Sequence, residues 1–134
     1  MAEEVRKYYK AMQDYYKACE KYYDKMADIE KKKKEILGLV KKIASLLEDI
    51  EKRTEEKAKA EEKGDENKSI KKQVEINSKE SELQKTEIEV QKKENELEQL
   101  RLQLQEISNK RDEELQKANE IKPDGVKDLK LDVE

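Results

Sequence analysis

Residues 63–69 read Lys63-Gly64-Asp65-Glu66-Asn67-Lys68-Ser69, and the chain is expected to reverse direction here. Its glycine is suited to end one helix, and its Asp, Asn and Ser side chains are suited to begin the next. We therefore predict a turn over residues 64–68, between a first helix over residues 2–63 and a second helix over residues 69–122.

The residues before this turn carry a regular apolar stripe. Its members recur at alternating steps of three and four, which is the a/d seam of a coiled coil. They are Val5, Tyr8, Met12, Tyr15, Cys19, Tyr22, Met26, Ile29, Lys33, Ile36, Val40, Ile43, Leu47 and Ile50. Lys33 interrupts the stripe, and we expect this lysine to set the register by facing the acidic residues Glu94, Glu96 and Glu98.

A second stripe follows the turn and is one residue out of phase with the first. It reads Ile76, Lys79, Leu83, Thr86, Val90, Lys93, Leu97, Leu100, Leu104, Ile107, Arg111, Glu114, Ala118 and Ile121. If the first stripe continued through the turn, it would instead place Glu61, Gly64 and Lys68 in the core. The sequence thus predicts two helices folded back on each other, with Val40 near Val90.

The composition also favours helices. Of the 134 residues, 49% are charged and 34% are hydrophobic, with three Gly, one Pro and no His, Trp or Phe. Sandwiches and α/β folds need more turn residues than this, whereas Glu, Lys, Gln, Leu and Ala favour long helices. We predict an all-α fold, a long antiparallel two-helix coiled-coil hairpin.

The middle of the first helix suggests self-association. Its apolar face widens over residues 36–47, and a face that broad usually touches more than one neighbour. We expect a dimer of hairpins with a four-helix region. The residues predicted to form this oligomer face, or alternatively a membrane face, are Leu37, Leu39, Val40, Leu46 and Leu47.

Three tyrosine pairs near the start form the most distinctive motif. The pairs repeat every seven residues, and they are Tyr8-Tyr9, Tyr15-Tyr16 and Tyr22-Tyr23. A tyrosine combines an apolar ring with a hydroxyl that needs a partner, so two ladders of them suit an interface with one wet edge. We predict that all six bind a partner; the alternative is that they fill the open end of the hairpin.

The residue inventory predicts no enzyme. Without His, nothing activates Cys19 as a nucleophile and no Glu-x-x-His pair can hold two metal ions. There is also no Gly-rich phosphate loop. We therefore expect no catalytic residue, no cofactor and no metal ligand.

The charge pattern argues against nucleic acid as a partner. The chain has 31 basic and 34 acidic residues, a net charge of −3, and its only basic cluster, Lys31 to Lys34, surrounds the helix. The first residues lack the pattern of a signal peptide, and no apolar run is long enough to span a membrane. We expect a cytoplasmic location by default.

Residues 123–134 follow the second helix and are expected to be a flexible tail, because Pro123 ends the helix. Within this tail Leu129, Leu131 and Val133 alternate with charged residues, a pattern that would also suit a strand added to a sheet edge.

These features predict a non-enzymatic structural or protein-interaction module whose partner is a second copy or another helical protein. One alternative is a membrane-surface or pore-associated, translocator-like protein that uses the amphipathic stretch 36–50. Another is a secretion-associated helical chaperone or stalk protein.

Overall fold

In a computed structural model, which describes residues 2–126, the chain forms two long helices that pack against each other. Helix α1 spans Ala2–Glu62 and helix α2 spans Glu66–Glu120. None of the described residues lies in a strand. The all-α helical hairpin predicted from the sequence is confirmed.

The turn between the helices is three residues long. Gly64 has a φ of +70°, which is the left-handed conformation that often ends a helix. Glycine adopts it with the least strain because it has no Cβ atom. The Asp65 amide donates to the Ala60 carbonyl at 2.9 Å, and the Gly64 amide donates to the Glu61 carbonyl at 3.1 Å. These two hydrogen bonds form a Schellman motif and satisfy two carbonyls at the end of α1.

Asp65 also begins α2. Its Oδ1 accepts a hydrogen bond from the Lys68 amide at 3.1 Å, and its carbonyl accepts from the Ser69 amide at 3.0 Å. A carboxylate in this place satisfies a free amide of the first turn and is favoured by the helix dipole. The chain therefore reverses within three residues.

Helix α2 ends at Glu120, shortly before Pro123. Gly125 has a φ of +85°, and the Val126 amide donates to the Pro123 carbonyl at 3.4 Å. This turn brings Val126 back against the core beside Ala118. The alternating residues Leu129, Leu131 and Val133 lie outside the described residues.

The chain divides into two compact units, each containing part of both helices. Unit 1 consists of Met1–Lys31 and Glu98–Glu134, and unit 2 consists of Lys32–Leu97. The core of unit 1 is a cluster of buried side chains, with Val126 and Leu115 packed beside it. Its buried members are Tyr8, Met12, Tyr15, Cys19 and Ala118.

In unit 2 the inward face of α1 differs from the predicted seam. Val40 and Leu47 are 47% and 50% exposed, whereas Leu46 is only 5% exposed and Leu39 is half-buried. Lys33 is likewise exposed, and Lys32 takes the more buried position. The prediction that Val40 and Leu47 lie in the core is therefore wrong, and the inward face of α1 is rotated by about one residue.

Ion pairs between the helices explain this rotation. Lys93 and Lys79 occupy seam positions of α2, and they reach Glu35 at 3.4 Å and Asp49 at 3.8 Å on one edge of α1. With Val40 and Leu47 turned inward, this acidic edge of α1 would face away from α2. Because Leu39-Val40 and Leu46-Leu47 offer adjacent apolar choices, the rotation satisfies the lysines and still buries a leucine.

Candidate protein-interaction surface

The six tyrosines of unit 1 fall into an inner and an outer row. In the inner row, Tyr8 is 1% exposed, Tyr15 is 7% exposed and Tyr22 is half-buried. In the outer row, Tyr9 is 47% exposed, Tyr23 is 38% exposed and Tyr16 lies half-buried between them. Helical spacing explains the division, because the inner row faces α2 while the outer row lies one residue further round.

Each outer ring rests against its inner neighbour. The ring centroids are 5.4 Å apart for Tyr8 and Tyr9, with 61° between the ring planes. The Tyr22–Tyr23 pair is 5.8 Å apart at 78°, and the Tyr15–Tyr16 pair is 5.3 Å apart at 52°. Tilted and edge-to-face contacts of this kind are the favourable arrangements for aromatic rings. The inner row therefore supports the outer row.

Helix α2 contributes a cation to the tyrosine cluster. The guanidinium of Arg111 lies over the Tyr22 ring, 4.3 Å from its centroid, in a cation–π contact. Arg111 is a charged member of the second stripe, at a seam position where apolar residues are usual. The tyrosine opposite it is the signal that could have revealed this contact in advance.

The environment of the inner row suppresses ionisation. Burial raises the pKa of Tyr15 to about 12, and a side-chain hydrogen bond with Cys19 acts in the same direction, while Arg111 opposes it. Burial likewise raises the pKa of Tyr16, which belongs to the outer row. Ionisation of both hydroxyls is therefore shifted to more alkaline pH.

The predicted interaction residues are thus not equivalent. Tyr8 and Tyr15 belong to the internal core, which agrees with the alternative that the tyrosines fill the open end of the hairpin. Tyr9, Tyr16 and Tyr23 form an outer tyrosine row that is accessible in this structure. The prediction that tyrosines bind a partner now depends on this outer row.

The second predicted face, in unit 2, is also divided. Leu46 is buried and Leu39 half-buried, so these two contribute to the hairpin itself. Leu37, Val40 and Leu47 are 53%, 47% and 50% exposed, and Ala44 between them is exposed as well. We call Leu37, Val40, Ala44 and Leu47 the α1 aliphatic stripe.

The opposite edge of α1 in unit 2 carries a ladder of ion pairs with α2. Its contacts are Lys32–Glu96 at 2.8 Å, Glu35–Lys93 at 3.4 Å, Asp49–Lys79 at 3.8 Å, Arg53–Glu75 at 3.3 Å and Glu56–Lys72 at 2.6 Å. In these five pairs each step forward along α1 is matched by an equal step backward along α2. A sixth pair, Lys42–Glu82 at 3.5 Å, departs from this spacing by four residues.

The predicted contact between the lysine cluster and the acidic residues of α2 is present, and it is made at Lys32. Lys32, rather than Lys33, contacts Glu96, and its ammonium also lies 3.3 Å from Glu35. Hydrogen bonds with Glu96, and then with Glu35, raise the pKa of Lys32, and the bond with Lys32 lowers the pKa of Glu96. This network fixes the register of the two helices in unit 2.

Unit 1 also contains an open groove on the edge away from the outer tyrosine row. It has a volume of about 390 Å³, and Ala18 and Ile107 contribute apolar surface to it. Three acidic and three basic side chains line the rest, namely Asp14, Glu106, Glu114, Lys17, Lys21 and Lys110. Such balanced charge selects no class of ligand.

Over residues 2–126, no three side chains of the metal-binding types Cys, Asp and Glu stand close enough together to hold a metal ion. Nor does either helix, as far as it is described, contain a segment with the length and hydropathy needed to cross a bilayer. Comparison with known proteins finds no protein family, no curated protein and no solved structure that matches this chain.

Proposed function

We propose that this chain is a non-enzymatic protein-interaction module, a helical hairpin that presents its outer tyrosine row to a protein partner. The observation that carries the proposal is the exposure of Tyr9 and Tyr23, with the half-buried Tyr16 between them, along one edge of α1 at intervals of seven residues. Tyrosine is enriched at protein interfaces because it buries a large ring and keeps one hydrogen-bonding group.

The inner rings support this proposal by restricting the outer ones. A tyrosine side chain loses little conformational entropy on binding, and a ring already held by a neighbour loses less. The edge-to-face contacts of Tyr9 and Tyr23 provide that restriction. The row is thus largely organised before a partner arrives.

The spacing of the row favours a helical partner. Side chains seven residues apart lie on nearly the same line of a helix, about 10 Å apart along its axis. A second helix lying along this line could contact all three rings with residues of its own at the same spacing. A partner helix with apolar residues every seven positions fits the row best.

The experiment compares partner capture by the full chain and by a Tyr9→Gln/Tyr23→Gln variant, using quantitative crosslinking in cell extract. Both rings are exposed, so helix content and unfolding midpoint should stay close to those of the parent chain while capture of a specific protein falls by about tenfold. A matched control is Ile70→Gln/Ile88→Gln, which changes two exposed aliphatic residues of unit 2. The proposal fails if both variants capture the protein equally.

A second candidate function is binding to a membrane surface through α1. The exposure of Leu37, Val40 and Leu47, with Lys34 and Lys41 nearby, favours it, because amphipathic helices of this composition can lie in a bilayer interface. The adjacent Glu48 and Glu55 oppose it, since anionic headgroups repel carboxylates. Flotation with anionic vesicles tests this candidate. It requires that the parent chain binds the vesicles and that the Leu47→Gln variant does not.

A further inference from the structure

The α1 aliphatic stripe stands out among the exposed apolar residues of unit 2. Its members are separated by steps of three, four and three, so Leu37, Val40, Ala44 and Leu47 share one face. Ile88 on α2 is 70% exposed, but no apolar residue lies three or four positions from it on its outward face. A continuous stripe is the form that a helix–helix contact requires.

We propose that the α1 aliphatic stripe binds the same stripe of a second copy, with the two α1 helices antiparallel. In this arrangement a two-fold axis passes between the two α1 helices at the level of residue 42. Leu37 then faces Leu47 of the second copy, and Val40 faces Ala44. Large residues meet at both ends of the contact, and one smaller residue enters each layer at the centre, where the helices come closest. This surface is separate from the outer tyrosine row.

Charge complementarity sets the orientation. Along the flank of the stripe, at intervals of seven, the exposed residues are Lys34, Lys41, Glu48 and Glu55. In this register Lys34 comes within two residue positions of Glu48 of the second copy, about 3 Å along the helix axis, and of these four residues only Lys41 comes that close to its own counterpart. Parallel pairing would place each of these four residues beside the same residue of the second copy, and like charges across an interface repel.

The ends of the stripe follow the same rule. Lys33 precedes Leu37 by four positions and Glu51 follows Leu47 by four, so the antiparallel arrangement places these opposite charges in one layer. The stripe is therefore self-complementary both in shape and in charge. Such self-complementarity is what an interface with two-fold symmetry needs.

Helix α2 limits the size of the contact. Its exposed residues Glu80, Glu87 and Glu94 recur every seven positions, on the side of α2 away from the ion-pair ladder. Two such acidic rows would repel each other, so the contact is confined to α1. It is therefore small compared with the roughly 800 Å² per partner of a standard interface. A dimer with a micromolar dissociation constant is expected.

Sedimentation equilibrium over a concentration series of the full chain tests the proposal. The parent chain should change from monomer to dimer as the concentration rises. Val40→Gln/Leu47→Gln should raise the dissociation constant about tenfold or more without loss of helix content, because both side chains are exposed in the monomer. Ile70→Gln/Ile88→Gln, which changes two residues that are more exposed and lie outside the stripe, should leave the dissociation constant unchanged.

Two further variants test the orientation. Lys34→Glu/Lys41→Glu makes the flank uniformly acidic and should weaken the dimer, with partial recovery at high salt. For crosslinking, Cys19 is replaced by Ala, and a chain with Leu37→Cys is mixed with a chain with Leu47→Cys. The antiparallel arrangement predicts a disulfide between the two different chains, and disulfides within each kind alone would overturn it.

The result that would overturn the whole proposal is a parent chain that stays monomeric at high micromolar concentration. A dimer that survives Val40→Gln/Leu47→Gln would contradict the assigned surface. If the chain stays monomeric and floats with anionic vesicles in a manner that depends on Leu47, the stripe binds a membrane instead. Because Tyr9 and Tyr23 are untouched, these outcomes leave the test of the tyrosine row independent.

Discussion

Gly64 has a backbone conformation that other residues adopt only at a cost. Its φ is +70°, and a Cβ atom added there would meet no other atom within 4 Å. The cost of Gly64→Ala is therefore backbone strain alone, and we expect the free energy of unfolding to fall by about 1 to 2 kcal/mol. Urea unfolding of the parent and the variant measures this difference.

Gly38 provides the matched control. It lies inside α1 with a helical backbone, and an added Cβ would also be unobstructed. Because glycine is about 1 kcal/mol worse than alanine inside a helix, Gly38→Ala should raise the free energy of unfolding by up to that amount. Opposite signs at the two glycines are expected; the same sign at both would contradict the turn geometry.

Tyr15 should make the fold sensitive to alkaline pH. Its pKa is raised by burial from 10.0 to about 12, so between these values the unfolded chain has lost the hydroxyl proton while the folded chain retains it. The contribution of Tyr15 to the free energy of unfolding is thus fully present below pH 10 and is lost as the pH rises towards 12. Tyrosinate absorbance during a pH titration should include a component that appears only as the pH approaches 12.

The corresponding variant is Tyr15→Phe, which keeps the ring and removes the ionisable hydroxyl. The late tyrosinate signal should disappear in this variant, and the decline of unfolding free energy between pH 10 and pH 12 should become shallower. An unchanged titration would mean that another tyrosine accounts for the late signal.

The rotation of α1 can be tested at two adjacent leucines. Leu46 is 5% exposed and Leu47 is 50% exposed, although the sequence pattern placed Leu47 in the core. We expect Leu46→Ala to lower the free energy of unfolding by about 2 to 3 kcal/mol, because it leaves a cavity between the helices. Leu47→Ala should change it by less than about 0.5 kcal/mol, as surface substitutions do.

Urea unfolding at low protein concentration gives both values, since dilution removes any contribution from association. The comparison is well matched because the two residues have the same type and the same helix. A larger effect at Leu47 than at Leu46 would restore the seam that the sequence predicted.

Across the whole molecule, much of the fold could be predicted from residue spacing. All the seam positions assigned to α2 from Ile76 to Ala118 are buried or half-buried, and Gly64 is the turn glycine. In α1 after Tyr22, spacing correctly places Ile29, Ile36, Ile43 and Ile50 inward, but it also places Met26, Val40 and Leu47 there, and these three are exposed. Apolar residues occur side by side at 39–40 and 46–47. Only the ion pairs with α2 decide between them, and those depend on three-dimensional pairing.

The candidate surfaces were predictable to a lesser degree. Spacing located the tyrosine pairs and the widened apolar face, but it could not say which half of each would be buried. Rotating α1 by one residue decides whether Leu46 or Leu47 is exposed. A small error in the predicted orientation of the helix therefore changes which residues form its surface. The Arg111 contact with Tyr22 also needed the register of both helices.

The ion-pair ladder should make the whole chain sensitive to acid. Hydrogen bonds with lysines lower the pKa of Glu35, Glu56 and Glu96 from the ordinary value of 4.5. Below that value the unfolded chain binds protons that the folded chain does not, so stability present at neutral pH is lost as the pH falls through the lowered values. Urea midpoints at about pH 7 and about pH 3 measure the loss.

A variant with Glu35→Gln, Glu56→Gln and Glu96→Gln lacks these three titrating groups. It should unfold at lower urea than the parent at neutral pH, and its midpoint should change less on acidification. An equal decline in both chains would assign the acid sensitivity to carboxylates outside the ladder.

The three-residue turn has a consequence for how the hairpin could change in length. Because the ladder steps forward on α1 and backward on α2 by equal amounts, removing seven residues from α1 of unit 2 together with the seven opposite them would leave every remaining ladder partner aligned. Removing seven from one helix alone, or inserting one residue beside Gly64, would displace all pairs beyond that point. Viable insertions and deletions in this part of the chain should therefore come as matched heptads.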